Sequence, residues 1–372
     1  MKKIGIIGAG VSGLTLACLL KKNTNFDISI FEKDDLKIKN INGIQISPNA
    51  LRILNELSFN SFDQKNLCKI KGVSFYDHYS NSKIAKMSLE YLSDEPYITL
   101  NRSDLIDFLI KKFSLKNHII EKEVLEIHEK SILFKDNKKK HFDVLVIADG
   151  IFSNLRCKKI QPLYSGYSAF RGVFKDEKQS NQIDLWMGKN FHLVKYPIDQ
   201  NKNYSFTIVK KIPYIKNILN YDYEIKHLKE NNKFYFPNLD NIAFDELSIK
   251  MWPIYKLNKI YYGDKKTFFI GDSAHGFIPS RAQGAAQAIE DSYALYNLII
   301  KNDFLPLKLF HIRKKRIQKI IRKSENNIFI FHLNFLILRK IRNFLIKIIC
   351  SSKYFVKYFN SYIFDYDYRK NL

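Results

Sequence analysis

The sequence predicts an α/β protein in which a Rossmann-like parallel sheet is interrupted by an inserted antiparallel sheet and followed by a helical C-terminal part. Three observations predict this fold. A glycine-rich loop joins the first apolar segment to a helical pattern, two later apolar segments each end in an aspartate, and the segments between them are rich in aromatic and β-branched residues. The 372 residues are 46% hydrophobic and 14% aromatic, so the chain can bury a large core and is not disordered.

The N-terminal elements carry the sharpest pattern, a short apolar strand followed by G-x-G-x-x-G and a helix. Gly8 permits a tight turn, Gly10 lets the backbone approach a pyrophosphate, and Gly13 allows the helix to pack closely on the strand. A second strand, residues 28–31, ends in Glu32, which can accept hydrogen bonds from a ribose diol. Free N–H groups and the dipole at the helix start favour phosphate there. Together these elements predict a dinucleotide site.

Two later strands each end in an aspartate. Residues 142–147 lead to Asp149, and residues 267–270 lead to Asp272, after which a helix is predicted from about Gly284. Ligands bind at the carboxyl ends of strands in an open parallel sheet. Because aspartate also caps turns and helices, a structural role for either residue stays open.

The remaining elements divide the chain into three predicted parts. The alternating aromatic and β-branched runs predict antiparallel sheet, and the basic and apolar C-terminal segment predicts helices. The parts are a nucleotide-binding domain (1–71 with 101–160 and 262–304), an inserted domain (72–100 with 161–261) and a C-terminal helical segment (305–372).

The net charge of +24 favours nucleic acid or an anionic membrane as a partner. Its distribution argues against nucleic acid, because residues 301–372 hold 17 Lys and Arg against 4 Asp and Glu and the remaining excess is spread thinly. The four cysteines and nine histidines show no metal-binding or disulfide spacing, so we expect no metal site and a cytoplasmic location. The longest apolar run is too short to span a membrane.

The order of these motifs resembles the class A FAD-dependent aromatic hydroxylases, and their salicylate-hydroxylase-like branch in particular. The resemblance covers nearly the whole chain. It is carried by the glycine fingerprint, by Ala148-Asp149-Gly150 with Ser153 and Arg156, by Gly271-Asp272 with His275, Pro279 and Gln283-Gly284, and by the phrases at 43–50, 164–172 and 192–197.

The resemblance implies a fold in which the parallel sheet binds non-covalent FAD, with NADH or NADPH as a transient co-substrate. Glu32 would bind the adenosine ribose, Val124 the adenine and Asp272 a ribityl hydroxyl. Asp149 belongs to a motif that serves both FAD and NAD(P)H, while Gly284 and Ala285 offer N–H groups near the flavin pyrimidine. The implied cofactor-binding residues are Gly8, Gly10, Ser12, Gly13, Glu32, Lys33, Gly43, Arg102, Val124, Asp149, Asp272, Gly284 and Ala285.

The implied activity is hydroxylation of a small phenolic or aromatic acid with NAD(P)H and O2, through a flavin C4a-hydroperoxide. A phenolate reacts faster than a phenol, so the site benefits from a base near the substrate hydroxyl. His192 and Tyr196 lie four apart, so on a strand they share a face about 13 Å apart, and Arg171 could pair with a carboxylate. For each of the three a purely structural role stays open. The residues before Gly43, Ile41 and Asn42, depart from the family pattern.

Two further interpretations concern the C-terminal segment. We expect its helices to cover the FAD domain with their apolar faces and to leave their cations in water. The alternative is an interfacial segment of a membrane-associated hydroxylase that acts on a quinone precursor or polyprenyl substrate. The sequence predicts no oligomeric state.

Overall fold

In the computed structural model of the chain, the described residues are 1–22, 26–36, 42–213, 221–236 and 247–370. Ile41 and residues 214–220 and 237–246 of the predicted inserted domain therefore lie outside the described residues. The strands, in chain order, are β1 (Lys2–Ile7), β2 (Phe26–Glu32), β3 (Gly43–Ile46), β4 (Leu67–Ile70), β5 (Gly72–Asp77), β6 (Ser82–Ser88), β7 (Tyr97–Asn101), β8 (Ile119–Glu121), β9 (Val124–His128), β10 (Ser131–Phe134), β11 (Lys139–His141), β12 (Val144–Ile147), β13 (Pro162–Lys175), β14 (Gln182–Gly188), β15 (Phe191–Pro197), β16 (Asn203–Lys211), β17 (Lys250–Leu257), β18 (Gly263–Asp264) and β19 (Thr267–Phe269). The helices are α1 (Val11–Lys22), α2 (Pro48–Glu56), α3 (Arg102–Lys112), α4 (Tyr221–Glu230), α5 (Asn232–Tyr235), α6 (Asp272–His275), α7 (Gly284–Ile300), α8 (Pro306–Phe331), α9 (Leu336–Ser351) and α10 (Lys353–Phe364).

The first sheet confirms the predicted parallel arrangement. Its six strands follow the order β18-β19-β12-β1-β2-β8, and every neighbouring pair is parallel except β18 with β19. Strands β1, β2 and β12 each bury four consecutive residues, as parallel strands do when both faces are covered. All four residues of β12 are buried, and α1 packs on β1 and β2. The carboxyl ends of β1, β2, β12 and β19 thus meet at one edge.

The second sheet has seven strands in the order β17-β13-β16-β15-β14-β5-β6. It is antiparallel as predicted, with one difference, since β5 and β14 pair in parallel. A parallel pair requires a long connection, and here nearly the whole segment from β6 to β13 lies between the two strands. Two small antiparallel sheets, β3-β7-β4 and β11-β10-β9, complete the fold. Residues 97–101 thus pair with β3 and β4.

The C-terminal helices agree with the sequence prediction only in part. Helix α8 buries its apolar side, but only part of it packs as expected, since Leu309 joins the core of the first sheet and Ile328 packs against Ala169 of the second. Helix α9 does the opposite, because Arg342 is its only fully buried residue. The expectation that every apolar face would point inward is wrong for α9. Within the described part of the chain, no helix is long and apolar enough to cross a membrane.

Candidate active site

The glycine loop after β1 is closed so tightly that two of its positions exclude any side chain. Gly8 has a φ of +104°, and a Cβ there would lie 2.4 Å from the carbonyl oxygen of Ala148. A Cβ on Gly13 would lie 2.1 Å from the carbonyl oxygen of Gly8. At Gly10 the nearest atom would be Nη2 of Arg102, at 3.8 Å. The loop therefore needs glycine for its own fold at two positions and leaves space beside the third.

Glu32 turns its carboxylate back toward the glycine loop at the end of β2. Its Oε2 accepts a hydrogen bond from the N–H of Ala9 at 2.8 Å, and its Oε1 accepts from the N–H of Lys33 at 2.8 Å. Val124 opens β9, three residues after Glu121, which pairs with Glu32 across β2 and β8. Glu32 and Lys33 therefore lie at the carboxyl end of β2, and Val124 follows the strand that pairs with β2.

Ser12 has a different local role from the glycines around it. Its hydroxyl lies 3.5 Å from the carbonyl oxygen of Ala288, and Ser292 donates to the Ser12 carbonyl at 2.8 Å. The Ser12 side chain therefore joins α1 to α7.

Asp149 and Asp272 lie beyond the carboxyl ends of the neighbouring strands β12 and β19, and the charge of Arg102 acts on Asp272. Arg102, Asp149 and Asp272 all reach solvent, although each is enclosed by surrounding protein. This enclosure raises the pKa of Asp149 to about 6 and raises the pKa of Asp272. It also lowers the pKa of Arg102, an effect that Asp272 and Glu32 oppose. A cleft lined by solvent-reaching charges of both signs suits a polar ligand that carries phosphate and hydroxyl groups.

Helix α7 begins at the same cleft. A Cβ on Gly284, its first residue, would meet nothing within 4 Å, so the helix N-terminus opens onto free space with Ala285 behind it. Gly43 lies across the cleft in β3, where a Cβ would come within 2.8 Å of the Tyr196 ring and 2.5 Å of Ser205. Gly43 therefore allows β3 to approach the second sheet.

The substrate candidates divide into two groups. Arg171 lies on β13 with its guanidinium 5.7 Å from the centre of the Trp252 ring, and its buried Nε has no hydrogen-bond partner within the described part of the chain. Tyr196 is buried, and burial raises its pKa although Arg171 opposes the effect. Both residues thus lie on the side of the second sheet that faces Arg102 and Asp272.

His192 contacts a different part of the molecule. Its Nδ1 lies 2.7 Å from Nε2 of His332, and its ring packs against Phe331 at the end of α8. Burial lowers the pKa of His192 to about 3, so its ring is neutral at ordinary pH. No contact described in the structure joins His192 to Arg171 or Tyr196.

A cavity of about 460 Å³ lies beside β17, the outer strand of the second sheet. Arg102 at the start of α3 and Asn42 just before β3 line one side of it, and Trp252 and Lys250 line it from β17. Its volume is in the range of small-molecule sites, and the Arg171 guanidinium stacks on one of its walls. Arg102 and Lys250 give the lining positive charge, so the cavity can hold an anionic molecule.

A buried ionic cluster behind the cleft could not be found from the sequence. Arg313, fully buried on α8, donates from Nε to Asp291 at 2.7 Å and from Nη1 to Glu290 at 2.6 Å. Burial alone would raise the pKa of Glu290, but Arg316 and Arg313 outweigh it and hold the pKa at about 2. His275 also contacts Asp291, at 2.6 Å, which places this motif histidine in a structural role.

The cluster connects directly to the predicted site residues. Asp291 accepts a hydrogen bond from the N–H of Gly271 at 2.8 Å and so fixes the turn, at a φ of +64°, that presents Asp272. Arg156 similarly joins the strand ends, because it donates to the carbonyl oxygens of Ser273 at 2.7 Å and Ile151 at 2.6 Å. Both arginines act as internal supports of the cleft.

Comparisons with known proteins agree with this geometry. Residues 6–36 match the family model of the NAD(P)-binding Rossmann-like domain. The chain is 24% identical to the 3-amino-4-hydroxybenzoate 2-monooxygenase of Streptomyces cremeus, over 89% of this chain and 88% of that protein. It is 22% identical to the salicylate hydroxylase of Pseudomonas putida, over 80% of this chain and 76% of that protein. Over most of its length the chain is therefore similar to monooxygenases and hydroxylases of hydroxylated aromatic acids.

Solved structures of similar fold extend over nearly the whole chain. Klebsiella pneumoniae HpxO, complexed with FAD and uric acid, superposes with a TM-score of 0.81 at 17% identity, over 97% of this chain and 96% of that one. The two-sheet arrangement, with a cleft between a Rossmann-like sheet and a larger sheet, is therefore the hydroxylase fold predicted from the sequence.

Proposed function

We propose that this hydroxylase inserts one oxygen atom from O2 into a small phenolic or aromatic acid, with NAD(P)H as reductant and FAD held in the cleft described above. The observation that carries the proposal is the set of groups around one cavity. Arg102 lines it, Arg171 stacks on its wall residue Trp252, and the Arg171 charge acts on Tyr196 and Asp272. The named relatives act on hydroxylated benzoate and salicylate rings, which supports this substrate class.

The residues present fit FAD. The space beside Gly10 accepts a pyrophosphate, the α1 N-terminus favours its charge, and Glu32 lies where a ribose would be bound. Asp272 would hold a ribityl hydroxyl, and the open N-terminus of α7 at Gly284 would face the flavin pyrimidine. Such a helix start favours a nearby anion by up to about 2 kcal/mol when partly buried. When bound, FAD supplies the electrons and the activated oxygen for the reaction.

On the substrate side, the protein binds, orients and excludes water. Arg171 would pair its free Nε–H with a substrate carboxylate, because a buried guanidinium donor without a partner is costly until an acceptor arrives. Tyr196 would place its hydroxyl against the substrate ring, held by Ser205 and Gln45. We assign His192 the role of supporting β15 through its contact with His332, with no contact to substrate.

In this proposal the chain divides as the sequence predicts, into a cofactor-binding part, a substrate-binding part and C-terminal helices. All four cysteines are free thiols, which supports the proposed cytoplasmic location. No comparison supports a polyprenyl or quinone-precursor substrate.

The test is a screen of NAD(P)H oxidation against a panel of hydroxylated aromatic acids, with products identified after incubation under labelled O2. We expect the protein to purify with FAD and at least one acid to increase NAD(P)H oxidation and gain one labelled oxygen. For that acid, Arg171→Gln should raise KM by about tenfold or more, as expected for loss of a charge-assisted hydrogen bond.

Lys250→Gln provides the matched control, since Lys250 is a cation that lines the same cavity on the neighbouring strand. The Arg171 effect should be absent for the same phenol without its carboxylate. A protein that takes up no FAD, or that incorporates no labelled oxygen into any ring, would contradict the proposal.

A further inference from the structure

Helix α9 is packed with its polar stripe inward and its apolar stripe outward. Arg342 on the inward side is 4% exposed and donates to the carbonyl oxygens of Ile330 and Phe331 at the end of α8. On the same side, Arg339 stacks on Tyr79 at 4.1 Å. Arg342 thus satisfies free carbonyl groups at the C-terminus of α8. The underlying surface therefore selects the charged side of α9 and leaves its apolar side uncovered.

The outward stripe of α9 follows helical spacing. It comprises Ile337, Ile341, Phe344, Leu345 and Ile348, which are 40% to 73% exposed. Helix α10 contacts α9 and adds four exposed aromatic rings, Tyr354, Phe355, Tyr358 and Phe359, which are 38% to 73% exposed. We call these nine side chains the α9–α10 face. Monomeric proteins rarely leave so many neighbouring apolar side chains in water, and such patches mark interaction surfaces.

The charge around this face selects its partner. Residues 326–364 contain no Asp or Glu and six Lys or Arg. Lys340 and Lys347, seven residues apart, flank the outward stripe and are exposed, as are Lys353 and Lys357 on α10. Contact with a second copy of this face would bring cations against cations with no acidic residue between them. A partner complementary to the α9–α10 face therefore has an apolar interior beneath an anionic surface.

We propose that the α9–α10 face binds the surface of an anionic phospholipid bilayer. The apolar stripe and aromatic rings would enter the boundary between headgroups and acyl chains, and the flanking lysines would meet the lipid phosphates. No described helix can cross a membrane, so the contact is peripheral. Membrane binding through the α9–α10 face determines the location of the protein and is independent of the identity of its substrate.

The experiment is flotation of the full-length, FAD-loaded protein with vesicles of phosphatidylglycerol or of phosphatidylcholine. Binding to phosphatidylglycerol should exceed binding to phosphatidylcholine and should weaken, without vanishing, when salt is raised from about 0.1 M to about 0.5 M. Phe344→Ser with Leu345→Ser should abolish flotation. Lys340→Glu with Lys347→Glu should weaken it by about 25-fold or more, at roughly fivefold per lost cation.

Matched controls distinguish binding through the α9–α10 face from nonspecific binding of the protein to vesicles. Leu307→Ser removes an equally exposed leucine, 64% exposed, from the far end of α8. Lys135→Glu with Lys139→Glu makes the same charge change on the exposed β10–β11 hairpin. Both controls should float like the parent protein, and all variants should keep their FAD absorbance, which verifies folding independently of substrate turnover.

Three results would overturn the proposal. The first is absence of flotation with phosphatidylglycerol, and the second is flotation of the Phe344 and Leu345 double variant equal to that of the parent protein. The third is a wild-type dimer that binds no lipid and that this double variant converts to a monomer.

Discussion

Replacement of Arg313 by methionine should destabilise the protein far more than replacement of a surface arginine. Arg313→Met keeps the length and apolar stem of the side chain but removes the charge between two fully buried carboxylates, Glu290 and Asp291. Arg316 continues to pair with Glu290 at 2.5 Å, so the uncompensated charge falls mainly on Asp291.

The magnitude follows from the burial of all three groups, each of which is 0% exposed. Removal of one partner of a buried ion pair costs about 3 to 5 kcal/mol, because the remaining charge has lost its compensation. At about 2 °C per kcal/mol for a chain of this size, the melting temperature should fall by about 6 to 10 °C. FAD should also dissociate more readily, since Asp291 holds the Gly271 turn at 2.8 Å.

Thermal unfolding followed by flavin fluorescence measures both effects. Arg322→Met, an exposed arginine on the same helix, is the control and should melt within about 2 °C of the parent protein. Addition of Asp291→Asn to Arg313→Met should recover part of the loss, because it removes the uncompensated carboxylate. A melting temperature of Arg313→Met within about 2 °C of the parent, or simple addition of the two losses, would refute the reasoning.

Three other predictions address the cleft. Asp272→Ala should weaken FAD binding by up to about a hundredfold in a fluorescence titration, through loss of one hydrogen bond worth on the order of 1–3 kcal/mol, and unchanged affinity would contradict its assignment. Gly10→Ala should lower the affinity for FAD and leave the unfolding of the apoprotein unchanged. Gly13→Ala should destabilise the apoprotein itself, because its Cβ would lie 2.1 Å from a carbonyl oxygen. Equal effects of the two variants on apoprotein unfolding would contradict a ligand-binding role for Gly10 and a structural role for Gly13. The Asp149 pKa of about 6 is raised above its ordinary value, so this group destabilises the folded apoprotein progressively as the pH rises from about 4 to 6. Asp149→Asn should remove that pH dependence in melting curves, and parallel profiles of the two proteins would argue against it.

The sequence was informative where function depends on local geometry. The tight turn at Gly8 and the helix packing at Gly13 involve residues that are close together in the sequence or that lie at the end of a strand. The spacing of the glycine motif was therefore enough to predict them. The strand ends at Asp149 and Asp272 were predicted for the same reason, and the parallel sheet brings them to one cleft. Their roles as FAD ligands stay predictions.

The sequence was silent where side chains meet across long separations. Arg313 lies in a run of four basic residues, 313–316, that has the pattern of a solvated helix face, yet two of the four neutralise Glu290 and Asp291 in the core. Helix α9 was misjudged because its periodicity identifies two faces but does not say which one packs. The face of α9 that packs is determined by Asp77, Tyr79 and the carbonyl groups at the end of α8, which bind arginine better than leucine.

The strand order of the six-stranded sheet has a consequence for synthesis of the protein. The buried strand β12 is translated by residue 147, but its parallel neighbour β19 begins only at residue 267, after the whole second sheet has been made. At about 5 to 20 residues per second, a ribosome needs roughly 6 to 24 s to supply it. During that interval the nascent chain carries an apolar strand with one unpaired edge, a template for aggregation. Slow translation should therefore lower the yield of native protein, and a chaperone that shields the edge of β12 should restore it.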